Sequence, residues 1–181
     1  MPASTTPVPP RPPEPAPPSD PPPDPDHLRA VSERVARALL ADAPAVTDTL
    51  LELEGVLDES VVVWSPALQI TSRDGLLAAV LGSDDALADV RLSLVGTAVD
   101  GNTSCVEWRV HGTFEKAGFL NDDILVEPSR AAVECAGVLV LTFSGDRVTV
   151  IRCFYDSLSL LEQMLPVSVA PMARGAGRDP T

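Results

Sequence analysis

Apolar residues near position 30 recur at the three- and four-residue spacing of one helical face. Charged residues, among them Arg29 and Glu33, fall between them on the other face. Asp26 precedes this pattern and is predicted to be the N-cap, because its carboxylate can accept hydrogen bonds from the first turn. The pattern predicts an amphipathic helix after Asp26, with an apolar face formed by Leu28, Val31, Val35 and Leu39.

Two more helices and a short strand are predicted before residue 83. A second helix is expected over residues 44–55, because this segment starts at a proline and ends at a glycine. Residues 61–64 are mostly β-branched and Ser65-Pro66 follows them, which predicts a short buried strand. Ser72 is the expected N-cap of a third helix that closes at Gly82.

Beyond Asp89 the apolar period changes to the alternation of β-strands. Asp156 is expected to cap a last helix. Helices followed by an antiparallel meander and a closing helix indicate an α+β domain. We expect a cone-shaped fold, in which a curved antiparallel sheet packs on the N-terminal helices, the C-terminal helix closes the cone, and the concave face holds an apolar pocket. The strands are predicted over 90–99, 103–116, 132–143 and 147–155, with a loop over 121–129.

Both ends of the chain have the composition of unfolded segments. Residues 1–26 contain 13 prolines and no aromatic residue, which predicts a disordered polyproline-like tail. Pro10-Arg11-Pro12-Pro13 is either a docking site for a proline-binding module or part of a spacer. Residues 166–181 are expected to be a flexible C-terminal tail. The folded domain is therefore predicted over residues 27–165.

Charge and cysteine content narrow the classes of partner. The net charge of −13 and the pI near 4.4 disfavour nucleic acids and anionic membrane surfaces, since both are rich in phosphate. The spacing of the three cysteines does not suggest a disulfide framework. Neither the cysteines nor the histidines have the spacing of a zinc site. Reduced cysteines and the lack of a long apolar run favour a cytoplasmic protein. No glycine-rich phosphate loop occurs, so no cofactor is expected.

Six short strings of sequence follow one another along the predicted domain. They are Val63-Trp64-Ser65-Pro66, Val106-Glu107-Trp108-Arg109, Pro128-Ser129-Arg130, Gly145-Asp146-Arg147-Val148, Arg152-Cys153-Phe154-Tyr155-Asp156 and Leu160-Leu161-Glu162-Gln163-Met164. In their order and spacing these strings resemble the nuclear transport factor 2-like superfamily, and within it the SnoaL-like polyketide cyclases. This resemblance covers nearly all of residues 27–165 and implies the cone-shaped fold. It leaves the function open, because the superfamily includes isomerases, dehydratases, epoxide hydrolases, cyclases and proteins without catalysis.

The resemblance also implies where an acid–base pair would lie. The SnoaL-like cyclases and the related limonene epoxide hydrolases have two aspartates near the final helix. The first is the acid–base residue, and the second, three residues later, opens the helix. Matching the second aspartate to Asp156 places the first at Cys153. The histidine that the cyclases use one strand earlier corresponds to Leu139. This chain therefore departs from the family pattern at both positions, and a thiol would act there only if a cation stabilised its thiolate.

The predicted strand over 103–116 contains a second candidate cluster. Glu107, Arg109 and His111 alternate and so share one face, while Val106, Trp108 and Val110 share the other. The resemblance to epoxide hydrolases, which place an arginine and an aspartate two apart in this region, draws attention to Glu107 and Arg109. The three polar residues either form a proton-transfer cluster in the pocket or point outward as a charge ladder, toward solvent or a dimer partner.

Two hypotheses of function follow. The first is a cofactor-free SnoaL-like cyclase, isomerase, dehydratase or epoxide-opening enzyme that acts on an apolar polyketide- or terpene-like molecule, with Glu107, Arg109, His111 and Cys153 as catalytic candidates. The alternative is a non-catalytic protein of the same fold that binds a small molecule or dimerises through the sheet. Trp64, Leu139 and Tyr155 are the candidate contacts of an apolar ligand, although a lone Trp or Tyr in such strands is more often a core residue.

Overall fold

The computed structural model describes residues 24–40, 53–82, 86–120 and 124–165. The expectations for the proline-rich tail before residue 24, for residues 166–181 and for most of the second predicted helix lie outside these ranges. Within them, no helix combines the length and the apolar character that crossing a bilayer requires.

The order of elements follows the predicted α+β layout. Residues 53–56 form a helical turn at the end of the second predicted helix. The other elements of the described ranges are α1 (Pro25–Leu40), β1 (Leu57–Trp64), β2 (Gln69–Ile70), α2 (Arg73–Gly82), β3 (Leu87–Asp100), β4 (Thr103–Phe114), β5 (Gly118–Leu120), β6 (Ile124–Val126), β7 (Ala132–Ser144), β8 (Arg147–Tyr155) and α3 (Ser157–Met164).

Six strands form one open, curved sheet in the order β2-β1-β8-β7-β4-β3, and β5 pairs with β6 separately. The pairs β3–β4, β4–β7 and β7–β8 are the predicted antiparallel meander. Register shifts interrupt β1–β8, β3–β4 and β7–β8, and such bulges bend strands and increase their twist. The α+β cone is thus confirmed, although β1 runs parallel to β8 in a sheet that was expected to be antiparallel. The loop predicted over 121–129 contains β6.

The first helix begins two residues earlier than predicted. The carbonyl of Asp24 accepts the first helical hydrogen bond from the N–H of Leu28 at 3.0 Å, and its carboxylate accepts another from the N–H of Asp26 at 3.0 Å. Asp24 is therefore the N-cap and Pro25 the first helical residue, a position where the missing N–H of proline costs nothing. The prediction that Asp26 is the N-cap was wrong.

The caps predicted for the other two helices are confirmed. The hydroxyl of Ser72 accepts a hydrogen bond from the N–H of Gly75 at 3.1 Å, at the start of α2. The carboxylate of Asp156 accepts one from the N–H of Ser159 at 3.0 Å, at the start of α3. In both cases a short polar side chain satisfies an N–H that the helix itself leaves free.

Helix α1 covers one face of the sheet, and we call this the inner face. The hydroxyls of Ser32 on α1 and Ser104 on β4 are buried and lie 2.6 Å apart. Ser32 donates to the carbonyl of Leu28 at 2.6 Å, so Ser104 is the donor of the bond between the two serines. Around this contact lies the main apolar core, which includes Val31, Val35, Val61, Val106, Leu139, Leu141 and Ile151.

Helix α3 extends the sheet at the start of β7. The side-chain amide of Gln163 accepts a hydrogen bond from the N–H of Glu134 at 2.8 Å and donates one to its carbonyl at 3.0 Å. Strand β8 pairs with β7 only from Gly137 onward, so Gln163 occupies the edge that β8 has left. A smaller apolar cluster, formed by Phe114 and Val133 with Leu160, Leu161 and Met164, holds the helix in place.

Candidate functional site

Strand β4 has two faces of opposite character. Its residues 104, 106, 108 and 110 are buried on the inner face, whereas residues 105, 107, 109 and 111 are exposed on what we call the outer face. The strand therefore obeys the alternation that the sequence predicted. The structure adds which set of side chains the helices cover.

Glu107, Arg109 and His111 lie on the outer face, away from the core. Glu134 on β7 lies between the last two: its carboxylate is 3.3 Å from Nε of Arg109 and 3.8 Å from Nδ1 of His111. About half of each of these three side chains is exposed, so the surrounding water weakens the electrostatic contacts between them. This geometry is the outward charge ladder, the second of the two alternatives for this strand.

Cys153 and Leu139 are neighbours on the inner face. They are cross-strand partners on β8 and β7, and both are buried. The two positions at which the resemblance places an acid and a base are therefore adjacent here, but a thiol and an isobutyl group occupy them. Such a pair can contact an apolar ligand and has no carboxylate or imidazole with which to transfer a proton.

Trp108 extends from β4 across β7 toward β8. Gly137 lies opposite Trp108 on β7 and pairs on its other side with Tyr155. A Cβ at Gly137 would lie 2.5 Å from Cζ2 of Trp108, so the indole occupies the space that a side chain would need. The rings of Trp108 and Tyr155 have their centroids 6.2 Å apart. The missing Cβ thus allows two aromatic rings from non-adjacent strands to meet on the inner face.

The titratable groups of this region are held in their neutral forms. Burial, with a smaller contribution from Cys135, raises the pKa of the Cys153 thiol to about 11. Burial and then the charge of Asp156 raise the pKa of Cys135. The pKa of Tyr155 is raised by burial and, secondarily, by the two cysteines. All three groups therefore stay protonated at neutral pH and offer weak or neutral hydrogen-bond donors.

Trp64 lies on the outer face, where its ring and that of Phe154 have centroids 5.3 Å apart. Both side chains are exposed, as is that of Val62. The structure therefore does not bring Trp64 together with Tyr155, its expected companion in the pocket or the core. Trp64, Phe154 and Val62 form an apolar patch, which we call the outer-face patch.

A polar cleft of about 390 Å³ lies beside the start of β1 and is lined by Leu57, Asp58, Glu59, Ser60, Arg73 and Arg147. Arg147 donates from Nη1 to the carbonyls of Gly55 at 2.8 Å, Glu54 at 3.2 Å and Leu57 at 3.4 Å. Hydrogen bonds from Ser60 hold the pKa of Asp58 below its usual range, and the two arginines contribute less. Nη1 of Arg147 thus stabilises the local backbone where the chain enters β1.

Residues 32–151 match the family described as the SnoaL-like domain. The chain belongs to the SnoaL-like domain family. This match agrees with the resemblance that the sequence strings indicated, and with the cone of helices and sheet. None of the curated proteins compared with the chain matches it.

Solved structures share the fold of this SnoaL-like domain at low identity. A protein assigned as a SnoaL-like polyketide cyclase from Jannaschia sp. CCS1 has a TM-score of 0.62 and 18% identity, over 81% of this chain and 96% of that chain. TsrD from Streptomyces laurentii has a TM-score of 0.61 and 16% identity, over 78% and 96%. An LEH-like epoxide hydrolase from M. tuberculosis has a TM-score of 0.56 and 12% identity, over 78% and 92%. At these identities the likeness shows the fold alone.

Sequence reasoning missed Trp108 and Cys135 as members of the candidate site. Trp108 was assigned to the more apolar face of β4 without a role, and Cys135 only to an apolar strand. The signal that could have found Trp108 is Gly137, since a glycine inside a predicted strand marks a close approach of another group. Among the described residues, no group of three His, Cys, Asp or Glu is arranged to hold a metal ion.

Proposed function

We propose that this SnoaL-like domain binds a small, largely apolar molecule against its inner face, beside Trp108, Cys153 and Tyr155, without general acid–base catalysis by those groups. One observation supports this most directly: the inner-face side chains of β4, β7 and β8 include no carboxylate and no imidazole. The titratable groups that are present are neutral at physiological pH. A surface of this kind favours uncharged ligands, because a charged one would lose its hydration without gaining a counter-ion.

Access to this region is supported by the burial pattern. Cys135 and Tyr155, near α3, are only partly buried. Leu139 and Cys153, which lie farther from α3 on β7 and β8, are buried. The inner face is therefore open to the solvent at the end nearest α3. A ligand entering there would meet Tyr155 and Cys135 first and Cys153 deeper in.

The test is a thermal-unfolding screen with apolar polyketides, terpenes and steroids. A ligand that binds only the folded domain should raise the melting temperature in step with the logarithm of its concentration above Kd. Cys135→Met enlarges a side chain on the inner face and should reduce this rise, while the matched Cys105→Met change on the outer face should leave it intact. The proposal fails if no compound raises the melting temperature, or if both variants respond alike.

A second candidate is a cofactor-free SnoaL-like enzyme of the cyclase, isomerase, dehydratase or epoxide-opening type. It is supported by the names of the structural neighbours, which include a polyketide cyclase and an LEH-like epoxide hydrolase. On this candidate, the chain should turn over a polyketide or an epoxide, and Cys153→Ala should abolish that turnover. Glu107→Gln and His111→Ala should leave it unchanged, because both side chains lie on the outer face. Absence of turnover with both classes of compound would contradict the candidate.

We also propose that the outer face pairs with a second copy of the chain. The chain as a whole carries a net charge of −13, which makes two copies repel each other. The outer face is an exception, because Arg91, Arg109 and Arg152 lie there with Glu107 and Glu134. Beside these charges of both signs lies the exposed outer-face patch, whose aromatic rings are typical of protein interfaces.

Sedimentation or light scattering tests this pairing. Phe154→Ser should weaken dimerisation at least tenfold, since it removes an aromatic anchor from the outer-face patch. Leu158→Ser removes an exposed apolar side chain from α3, outside the outer-face patch, and is the matched control. A wild-type chain that is monomeric at high micromolar concentration would contradict the proposal.

The three free cysteines, of which Cys105 is exposed, support a reducing compartment such as the cytoplasm.

A further inference from the structure

The indole nitrogen of Trp108 is buried and has no hydrogen-bond partner. Only 3% of the Trp108 residue is exposed to solvent. A buried N–H without an acceptor is unfavourable, because in water the same group would be hydrogen-bonded. Native proteins satisfy nearly all such groups with a protein atom, an ordered water or a bound molecule, so an exception calls for an explanation.

The position of the ring shows where an acceptor would have to lie. A Cβ at Gly137 would be 2.9 Å from Cε2 of Trp108, and Cε2 is the ring atom bonded to Nε1. The edge of the indole that carries the N–H therefore lies over β7. Tyr155 is beyond it on β8, with its ring centroid 6.2 Å away, and Cys153 is two residues before Tyr155 on the same face. The unpaired donor is thus in the middle of the region proposed to bind the ligand.

The two neighbouring thiols have little capacity to accept this bond. The thiols of Cys135 and Cys153 are weak acceptors, and burial keeps both protonated. The hydroxyl of Tyr155 has lone pairs, but Nε1 of Trp108 makes no hydrogen bond to it or to any other group. The unpaired N–H is complementary to an oxygen that brings lone pairs and no charge. A carboxylate is disfavoured, because no cationic side chain lies on the inner face of β4, β7 or β8.

Building on the proposed function, we infer that Nε1–H of Trp108 donates a hydrogen bond to a neutral carbonyl oxygen of the bound molecule. The ligand class is thereby narrowed to apolar ring compounds that carry a ketone or a similar neutral oxygen. Trp108 acts as a specificity-determining residue that orients the ligand by this oxygen. A hydrocarbon of the same shape would fill the space and leave the N–H unpaired.

Two matched pairs of compounds test this, 1-tetralone with tetralin and anthrone with 9,10-dihydroanthracene. Each ketone should bind the wild-type chain about tenfold more tightly than its hydrocarbon, the worth of one hydrogen bond in a dry site. Trp108→Phe keeps an aromatic ring and removes the N–H, so it should abolish this preference. Trp64→Phe, the same change on the outer face, should preserve it.

Because Trp108→Phe could itself perturb folding, a second measurement uses the unaltered tryptophan. The chain has two tryptophans, so ¹⁵N-labelled protein gives two indole N–H resonances, and Trp64→Phe identifies that of Trp108. The ketones should move the Trp108 proton downfield and the hydrocarbons should not. Equal binding within both pairs, or equal shifts, would overturn this inference while leaving the proposed function intact. Failure of all four compounds to bind would count against both.

Discussion

Replacing Gly137 by alanine tests how the inner face is built. The new Cβ would lie 2.5 Å from Cζ2 of Trp108 and would also collide with the backbone carbonyl of Phe154. Ordinary contact begins near 3.4 Å, so the indole has to retreat by about 0.9 Å. The carbonyl belongs to the β7–β8 ladder and cannot retreat without weakening hydrogen bonds between the strands.

The expected cost is that of overpacking a well-packed core, about 1–3 kcal/mol in the free energy of unfolding. For a folded unit of this size, the melting temperature should fall by about 4–12 °C. Urea unfolding followed by circular dichroism measures the free energy. Near-ultraviolet circular dichroism reports the contact between Trp108 and Tyr155, which should weaken in the Gly137→Ala variant.

Gly96→Ala is the matched control, because a Cβ at this strand position meets no atom within 4 Å and Gly96 has no positive φ. It should be neutral, or stabilise the fold slightly by restricting the unfolded chain. The reasoning is refuted if Gly137→Ala unfolds within about 0.5 kcal/mol of the wild-type chain, a difference typical of unconstrained surface positions. The indole would then not lie over β7 as described.

Two further predictions concern buried polar groups. Ser32→Ala removes the acceptor of the buried hydroxyl of Ser104 and should cost about 1–2 kcal/mol in urea unfolding, while the Ser32→Ala/Ser104→Ala double variant should cost less than the sum of the single changes. The second concerns pH: an unfolded thiol loses its proton near pH 9, whereas Cys153 in the folded chain keeps it until about 11. The unfolded state therefore binds fewer protons in this window, and stability should fall as the pH rises through it. Cys153→Ala should make that fall shallower, and an unchanged slope would contradict the assigned burial.

Local patterns in the sequence determined most of the secondary structure. The three- and four-residue spacing of Leu28, Val31 and Val35 is enough to define α1, because one turn of helix contains 3.6 residues. Alternation similarly defined β4, and short polar residues defined the N-termini of α2 and α3. The prediction of the N-cap of α1 was wrong because Asp24 and Asp26 are equally good caps locally, and the choice between them depends on where the helix starts.

Pairings between distant segments could not be predicted in the same way. The parallel contact of β1 with β8 joins residues about 90 positions apart, and neither strand contains a mark of its partner. The pairing of β2 with β1 could not be predicted either, because β2 has only two residues, too few to show the alternation of a strand.

The candidate site was decided by tertiary structure. Alternation separates Glu107 from Trp108 onto opposite faces of β4, but both faces are compatible with a two-layer fold until a helix covers one of them. Helix α1 covers the face of Ser104 and Trp108, which turns Glu107 outward. The site itself depends on the register of three strands, because only this register places Gly137, which has no side chain, between Trp108 and Tyr155. Register is a relation between strands, and no single stretch of sequence contains it.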